Sequence, residues 1–426
     1  MSTIYKDKNI AKMYYGSTPV YSFSVDDGGG TSSGLDFSSI GYDDKLSKEI
    51  NDEYNADIAY SKQLLDEWVG SYNSAMSLYK NNTQLIYAPN VDTSNVVSMY
   101  QMFQGCSNLK YIPKFNTSNV TSMQSMLSGC TSLVSVPQLN TSNVTAMRDT
   151  FNGCSNLITI PEIDTSKVTT MMGMFAGCSN LTSIPQLNTS NVNTMYTMFK
   201  DCSSLIEAPM LDTSNVTDMY AMFQGCSSIT HIPKFNTSKV TNMDNMFGDC
   251  KVLETIPEID TSSATKMRGM VGACSSITHI PKFNTSKVTD FHDIFNGCSN
   301  LITISEIDTS KATDVGGMFA YCYNLESLPV LDFSSVTTAS FIFAWSKFSK
   351  LTDLGGFKNL KISITSYFLD QVPNLTTESL MNVINNLYDL TTNGLSGKSL
   401  KFGSTNLNKL SAEQIAVATA KGWTLT

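Results

Sequence analysis

The ten cysteines of this 426-residue chain are the first place to look for chemistry. They are Cys106, Cys130, Cys154, Cys178, Cys202, Cys226, Cys250, Cys274, Cys298 and Cys322, one every 24 residues. Thiolates bind zinc or pair as disulfides, and an even count invites both readings. Zinc sites pair their ligands a few residues apart, and no such pair exists here. Residues recurring at one position of a stacked repeat line up at the strand spacing of roughly 4.8 Å. All then point the same way, a poor geometry for bridging. The column is therefore expected to be ten reduced, buried, small apolar residues, in a protein completed in a reducing cytoplasm.

Other chemistry-bearing types behave the same way. Sixteen of the 22 methionines fall in two columns, such as Met99 with Met102 and Met243 with Met246. Beside Phe103 and Phe247 they read as core packing rather than as a Met-rich groove. Asn or Asp stands at 92, 116, 140, 164, 188, 212, 236, 260, 284, 308 and 332. Its neighbours are Thr and Ser, with no Asp-dense, Gly-rich loop for calcium, so a turn and capping role is expected. Of three histidines, His231 and His279 are one letter copied in duplicated units, and His292 is the third. No nucleophile elbow, phosphate loop or zinc motif occurs. The expectation is no catalytic residue, no metal and no cofactor.

The elements that position these residues follow from the period. "NTSNVTSMQSMLSGCTSLVSVPQL" at 116–139 is followed by "NTSNVTAMRDTFNGCSNLITIPEI" and "DTSKVTTMMGMFAGCSNLTSIPQL". Ten full units run from 92 to 331 without an insertion, an eleventh degenerates, and a half unit precedes them. A fixed period in this range means a solenoid whose units stack on their neighbours. Val120, Met123, Met126 and Leu127 fit helical spacing, with Ser118 as N-cap and Gly129 at the left-handed C-terminal position. Leu133, Val136 and Leu139 read as a short extended limb. The proline column that closes it (Pro113, Pro137 and equivalents) must lie outside the hydrogen-bonded ladder. The fold class is thus an α/β solenoid, a right-handed coil of 24-residue units each holding a short helix and a short parallel strand, capped at both ends.

The flanks divide the chain further. Residues 1–25 form a β-like attachment segment and 26–36 a Gly/Ser linker. Residues 37–91 are a helical N-terminal cap with the half repeat, 92–345 the solenoid, and 346–426 an α/β C-terminal cap. There, Ser411 and Gln414 form a capping box for a helix ending near Gly422. Net charge is −9 and charged residues make up 15%, which argues against nucleic acid as a partner. No apolar run reaches 18 residues, so no membrane insertion is expected. The N-terminal stretch lacks the apolar core and cleavage site of a secretory signal.

"DTSNVTDMYAMFQGCSSITHIP" resembles the BspA-type leucine-rich repeat, in the branch marked by TSNVTxMxxMFxxC. The resemblance covers residues 75 to about 345. It implies an adhesive or binding surface rather than an enzyme. The leading residues and the tail resemble proteins of gut phages and gut bacteria, which implies a virion fibre or decoration protein contacting the host. The alternative is a bacterial cell-surface adhesin, and a glycan depolymerase spike is a third reading. The implied partners are a host or cell-surface protein or glycan, and virion proteins through residues 1–34, with oligomerisation through the N-terminal region. Exposed aromatics on a rigid surface suit such contacts. The candidate contact residues are Tyr100, Tyr111, Tyr196, Tyr220, His231 and His279.

Overall fold

The computed structural model describes residues 75–426 except 89, 91, 346 and 347, together with β1 (Tyr14–Tyr15) and β2 (Thr18–Pro19). β1 and β2 pair antiparallel, Tyr14 opposite Pro19. The remainder of segment 1–25, the 26–36 linker and the helical part of 37–91 up to residue 74 lie outside the described residues.

A single coil, 116–139, shows how the sequence builds the array. Asn116 accepts hydrogen bonds on Oδ1 from Ser118 N (3.2 Å) and Ser118 Oγ (2.8 Å), turning the chain at the corner. Capping thus falls to the Asn/Asp column, and Ser118 is the donor, not the cap acceptor. The limb that follows is not a helix, in this coil or in any other described unit of the array. Ser125 has φ +54° and Gly129 φ +76°, and a left-handed residue at every fourth position is incompatible with an α-helix. The limb is instead a run of tight turns, with Met126 N to Met123 O and Cys130 N to Leu127 O.

The physical reason lies in where the remaining N–H groups go. Met123, Ser125, Leu127 and Gly129 donate to the carbonyls of Ala146, Arg148, Thr150 and Asn152 in the next coil. Alternate backbone groups are satisfied between coils, where a helix would satisfy them within itself. Parallel bridges run from Ser98 through Ser122, Ala146, Thr170, Thr194, Asp218 and Asn242 to Lys266 on this limb. The opposite limb, expected to be the strand, is the weaker ladder. It shows isolated bridges such as Tyr87 with Tyr111 and Glu207 with His231. Among the described residues of this limb strands appear only near the end of the array: β3 (Ser327–Leu328) and β4 (Leu331–Asp332) pair parallel with β5 (Asp353–Leu354) and β6 (Phe357–Lys358).

The interior is continuous. Val120, Met123, Met126, Leu127, Cys130 and Leu133 are buried, as are their equivalents up and down the stack. Phenylalanine rings stack face to face between coils, as in Phe175 on Phe199 at 5.7 Å and Phe199 on Phe223 at 5.4 Å. A buried threonine column supports the corner: Thr117 Oγ1 donates to Asn140 O and Thr237 Oγ1 to Asp260 O, at 2.8 and 2.7 Å.

The C-terminal end is covered. α1 (Thr377–Asn386), capped by Thr376 Oγ1 on Ser379 N, buries Leu380, Val383 and Ile384 and packs against β5 and β6. β7 (Lys398–Leu400) pairs parallel with β8 (Trp423–Leu425). Between them come α2 (Ser404–Leu407) and α3 (Ala412–Ala420). The Ser411/Gln414 capping box starts α3, and Gly422 follows its end at φ +84°. Trp423 is buried and donates Nε1 to Tyr388 O.

Candidate binding surface

The repeat places every side chain of a column on one line, so the surface is a set of parallel rows. Tyr100, Tyr196 and Tyr220 belong to the row on the turn-rich limb. Tyr196 and Tyr220 stack at 4.6 Å, within 11° of parallel, and are half-buried. Burial, then the neighbouring Tyr220 and Asp218, pushes the Tyr196 hydroxyl up. Tyr100 stands four coils away in the same row, also half-buried. Tyr111, His231 and His279 belong to the row on the other limb. Tyr111 stacks on Tyr87 at 6.0 Å, and the two exposed histidines stand two coils apart. The six candidates therefore lie on two limbs and do not converge.

The cysteines are all free and buried. Each thiol donates to a carbonyl of the preceding coil, as Cys130 Sγ does to Phe103 O at 3.2 Å and Cys274 Sγ to Phe247 O at 2.9 Å. Burial pushes Cys106 up to about 11 and Cys226 to about 12, so thiolate is scarce at neutral pH. Four aspartates of the corner column, Asp164, Asp212, Asp260 and Asp308, are held below the usual carboxylate range. The following serine's hydroxyl and N–H, donating to the carboxylate, are the cause. An open groove of about 800 Å³ crosses three coils, with Ile259, Phe283 and Ile307 as its floor and Glu258, Lys282 and Glu306 along its rim. Its rim alternates in sign.

A different group of side chains does converge. Tyr321, Tyr323, Phe341, Trp345 and Tyr367 meet on the surface where the array gives way to the C-terminal segment. Trp345 stacks on Tyr321 (5.5 Å) and on Phe341 (5.2 Å), within 12° of parallel to each. Tyr323 meets Tyr321 edge-on at 6.2 Å, and Tyr367 leans on Phe341 and Trp345 at 5.2 and 5.7 Å. All five are exposed, Trp345 by 52% and Phe341 by 40%. Isolated exposed apolar residues are ordinary, but a contiguous aromatic patch marks a contact site.

The backbone under the patch is unusual. Tyr321, Phe341, Trp345 and Tyr367 have φ of +60°, +64°, +55° and +50°. Bulky residues rarely adopt this region. Tyr321 and Trp345 occupy the column that holds Gly105, Gly129, Gly153, Gly177, Gly225 and Gly297 in earlier coils. Phe341 follows Gly317 in the other left-handed column. The signal was present in the sequence as aromatics replacing glycine in the last two units. Recognising it required knowing that those columns are left-handed.

A family described as "Mycoplasma protein of unknown function, DUF285" matches residues 72–159, 134–228, 208–279 and 265–377. No curated protein matches the chain. Among solved structures, the chain is similar to a leucine-rich cell surface protein from Faecalibacterium prausnitzii, with 19% identity, 67% of this chain and 83% of that one covered, and TM-score 0.45. It is also similar to a leucine-rich-repeat protein from Eubacterium ventriosum, with 17% identity, 63% and 85% covered, and TM-score 0.37. The family matches overlap one another and together take in most of the chain, including the turn-rich limb, the thiol column and the aromatic patch, so this protein belongs to the DUF285 family.

Proposed function

We propose that this protein is a non-enzymatic adhesive protein that holds a ligand on the outside of the solenoid. The observation that carries the reading is the convergence of five exposed aromatic side chains, four of them on strained but hydrogen-bonded backbone. Ladder bonds fix that backbone: Phe319 N to Ile342 O, Tyr321 N to Ala344 O and Phe343 N to Tyr367 O. Rigid aromatics give large contact area at low entropic cost. Backbone strain of this kind persists where function selects it.

The setting is a BspA-like surface, carried either by a virion or by a bacterial cell. Ten unpaired thiols favour the virion, since a particle assembled in a reducing cytoplasm has no need of disulfides. In that setting residues 1–34 attach the protein to its assembly. Antibody labelling of purified particles and intact cells separates the two settings. The function itself is tested by retention of the fluorescently labelled full chain on intact bacterial cells. The reading expects saturable retention with the ligand recovered unchanged. Absence of retention, or recovery of a shortened or chemically altered ligand, would overturn it.

A further inference from the structure

We propose that the Tyr321–Tyr323–Phe341–Trp345–Tyr367 patch is a stacking platform for a neutral glycan; this rests on the adhesive reading above and names its ligand class. Three observations point to that chemistry. The first is ring type and placement. Four of the five rings carry a polar tip, three tyrosine hydroxyls and one indole N–H, on an otherwise apolar body. A pyranose is the complement: an apolar C–H face with a rim of hydroxyls. Aromatic faces carry partial negative charge and attract such C–H groups. Neighbouring rings spaced 5.2–5.7 Å apart present an extended wall rather than a single-residue pocket, which suits a chain of sugars.

The second observation is charge. Residues 315–324 and 333–345, which carry four of the five rings, contain no Asp, Glu, Lys, Arg or His. A uronate or sulfated polymer would find no counter-charge in these stretches, and the chain as a whole is acidic at −9. Protein hot spots combine aromatics with Arg, and no Arg is present in either stretch.

The third observation is strain. Four aromatics sit at positive φ, where the described coils before them place Gly, Asn, Asp, Ala, Ser, Thr and one Gln but no aromatic. All four side chains are exposed, while the ladder bonds beneath hold their spacing.

The test is affinity electrophoresis of the full chain through gels each containing one polymer. The probes are a β-glucan, a mannan and a galactan as neutral polymers, with polygalacturonate and chondroitin sulfate as charged ones. The proposal expects retardation by at least one neutral polymer and by neither charged one. Trp345→Ala and Tyr321→Ala should each weaken it about tenfold or more. Trp345→Gly supplies an independent check. It removes the ring and relieves the left-handed strain, so it should melt at a higher temperature than the parent while losing retardation. The proposal is overturned if no neutral polymer retards the protein, if only charged ones do, or if Trp345→Ala with native melting binds as the parent does. Should intact-cell retention depend on Trp345 while no neutral polymer retards the chain, the ligand is a protein and the glycan assignment falls alone. Should cell retention itself be absent, the adhesive reading falls.

Discussion

At the residue scale, single columns explain single substitutions. The methionine column running through Met102, Met126, Met174 and Met198 is interrupted by Thr150. There a cavity of about 20 Å³ opens, bordered by Met123, Met147, Thr150 and Phe151. Thr150→Met should fill it and raise stability by about 1 kcal/mol, seen as a higher urea midpoint at unchanged slope. The cysteine column makes a second prediction. Thiol titration of the native protein should find almost none reactive, and titration in denaturant without reductant should find ten, the number in the sequence. Several missing thiols would mean disulfides and contradict the column. That the cysteines are unpaired and buried was legible from spacing alone. Their carbonyl partners were not, because a donor reaching back 27 residues depends on where each coil turns. The buried threonine ladder escaped notice for the same reason: Thr beside Asn reads as a turn residue until the next coil supplies its acceptor.

At the element scale, the period of 24 and the choice of inward residues were legible, whereas the type of the first limb was not. Val120, Met123, Met126 and Leu127 fit a helical template, but Val120, Met123 and Met126 also repeat every three residues. A three-residue repeat is what a chain of tight turns produces. Only the destination of the backbone N–H groups decides between them, and that destination lies in another coil. The left-handed columns also set rules between neighbours. A Cβ added at Gly225 would run into Asp201 Oδ1, while one at Gly129 would meet nothing nearer than Gly105 Cα at 3.4 Å. Gly129→Ala should cost about 1–2 kcal/mol for the left-handed backbone alone. Gly225→Ala should cost more, and Asp201→Ala in the same chain should recover the difference. Denaturant melts of the three variants check this. The corner aspartates give a pH dependence. Their folded values are depressed below the ordinary 3.8. Their contribution is therefore present above about pH 4 and is lost as pH falls through the folded values. Asp212→Asn with Asp260→Asn should flatten the acid limb of a Tm-against-pH curve.

At the scale of the whole molecule, the array is a stack in which each coil contacts its neighbours, so its stability is distributed along it. On the proposed reading its specificity is not. The aromatics and histidines of the variable rows, Tyr100, Tyr196 and Tyr220 on one side and Tyr111, His231 and His279 on the other, scatter over two limbs. The patch that converges lies where the repeat is degenerating, a region the repeat pattern itself describes least well. Three of its five members, Tyr321, Phe341 and Trp345, stand in columns that hold glycine at left-handed backbone in earlier coils, which is a departure from local rules of the kind that functional sites keep. The claim that binding belongs to this patch, and not to the regular rows, is tested most directly by comparing two variants for retention on intact cells. One is Trp345→Ala; the other is Tyr196→Ala with Tyr220→Ala. Both remove exposed or half-buried rings and should melt like the parent. The account expects Trp345→Ala to weaken retention about tenfold or more and the tyrosine pair to leave it within about twofold. Retention lost in the tyrosine pair and preserved in Trp345→Ala would contradict it.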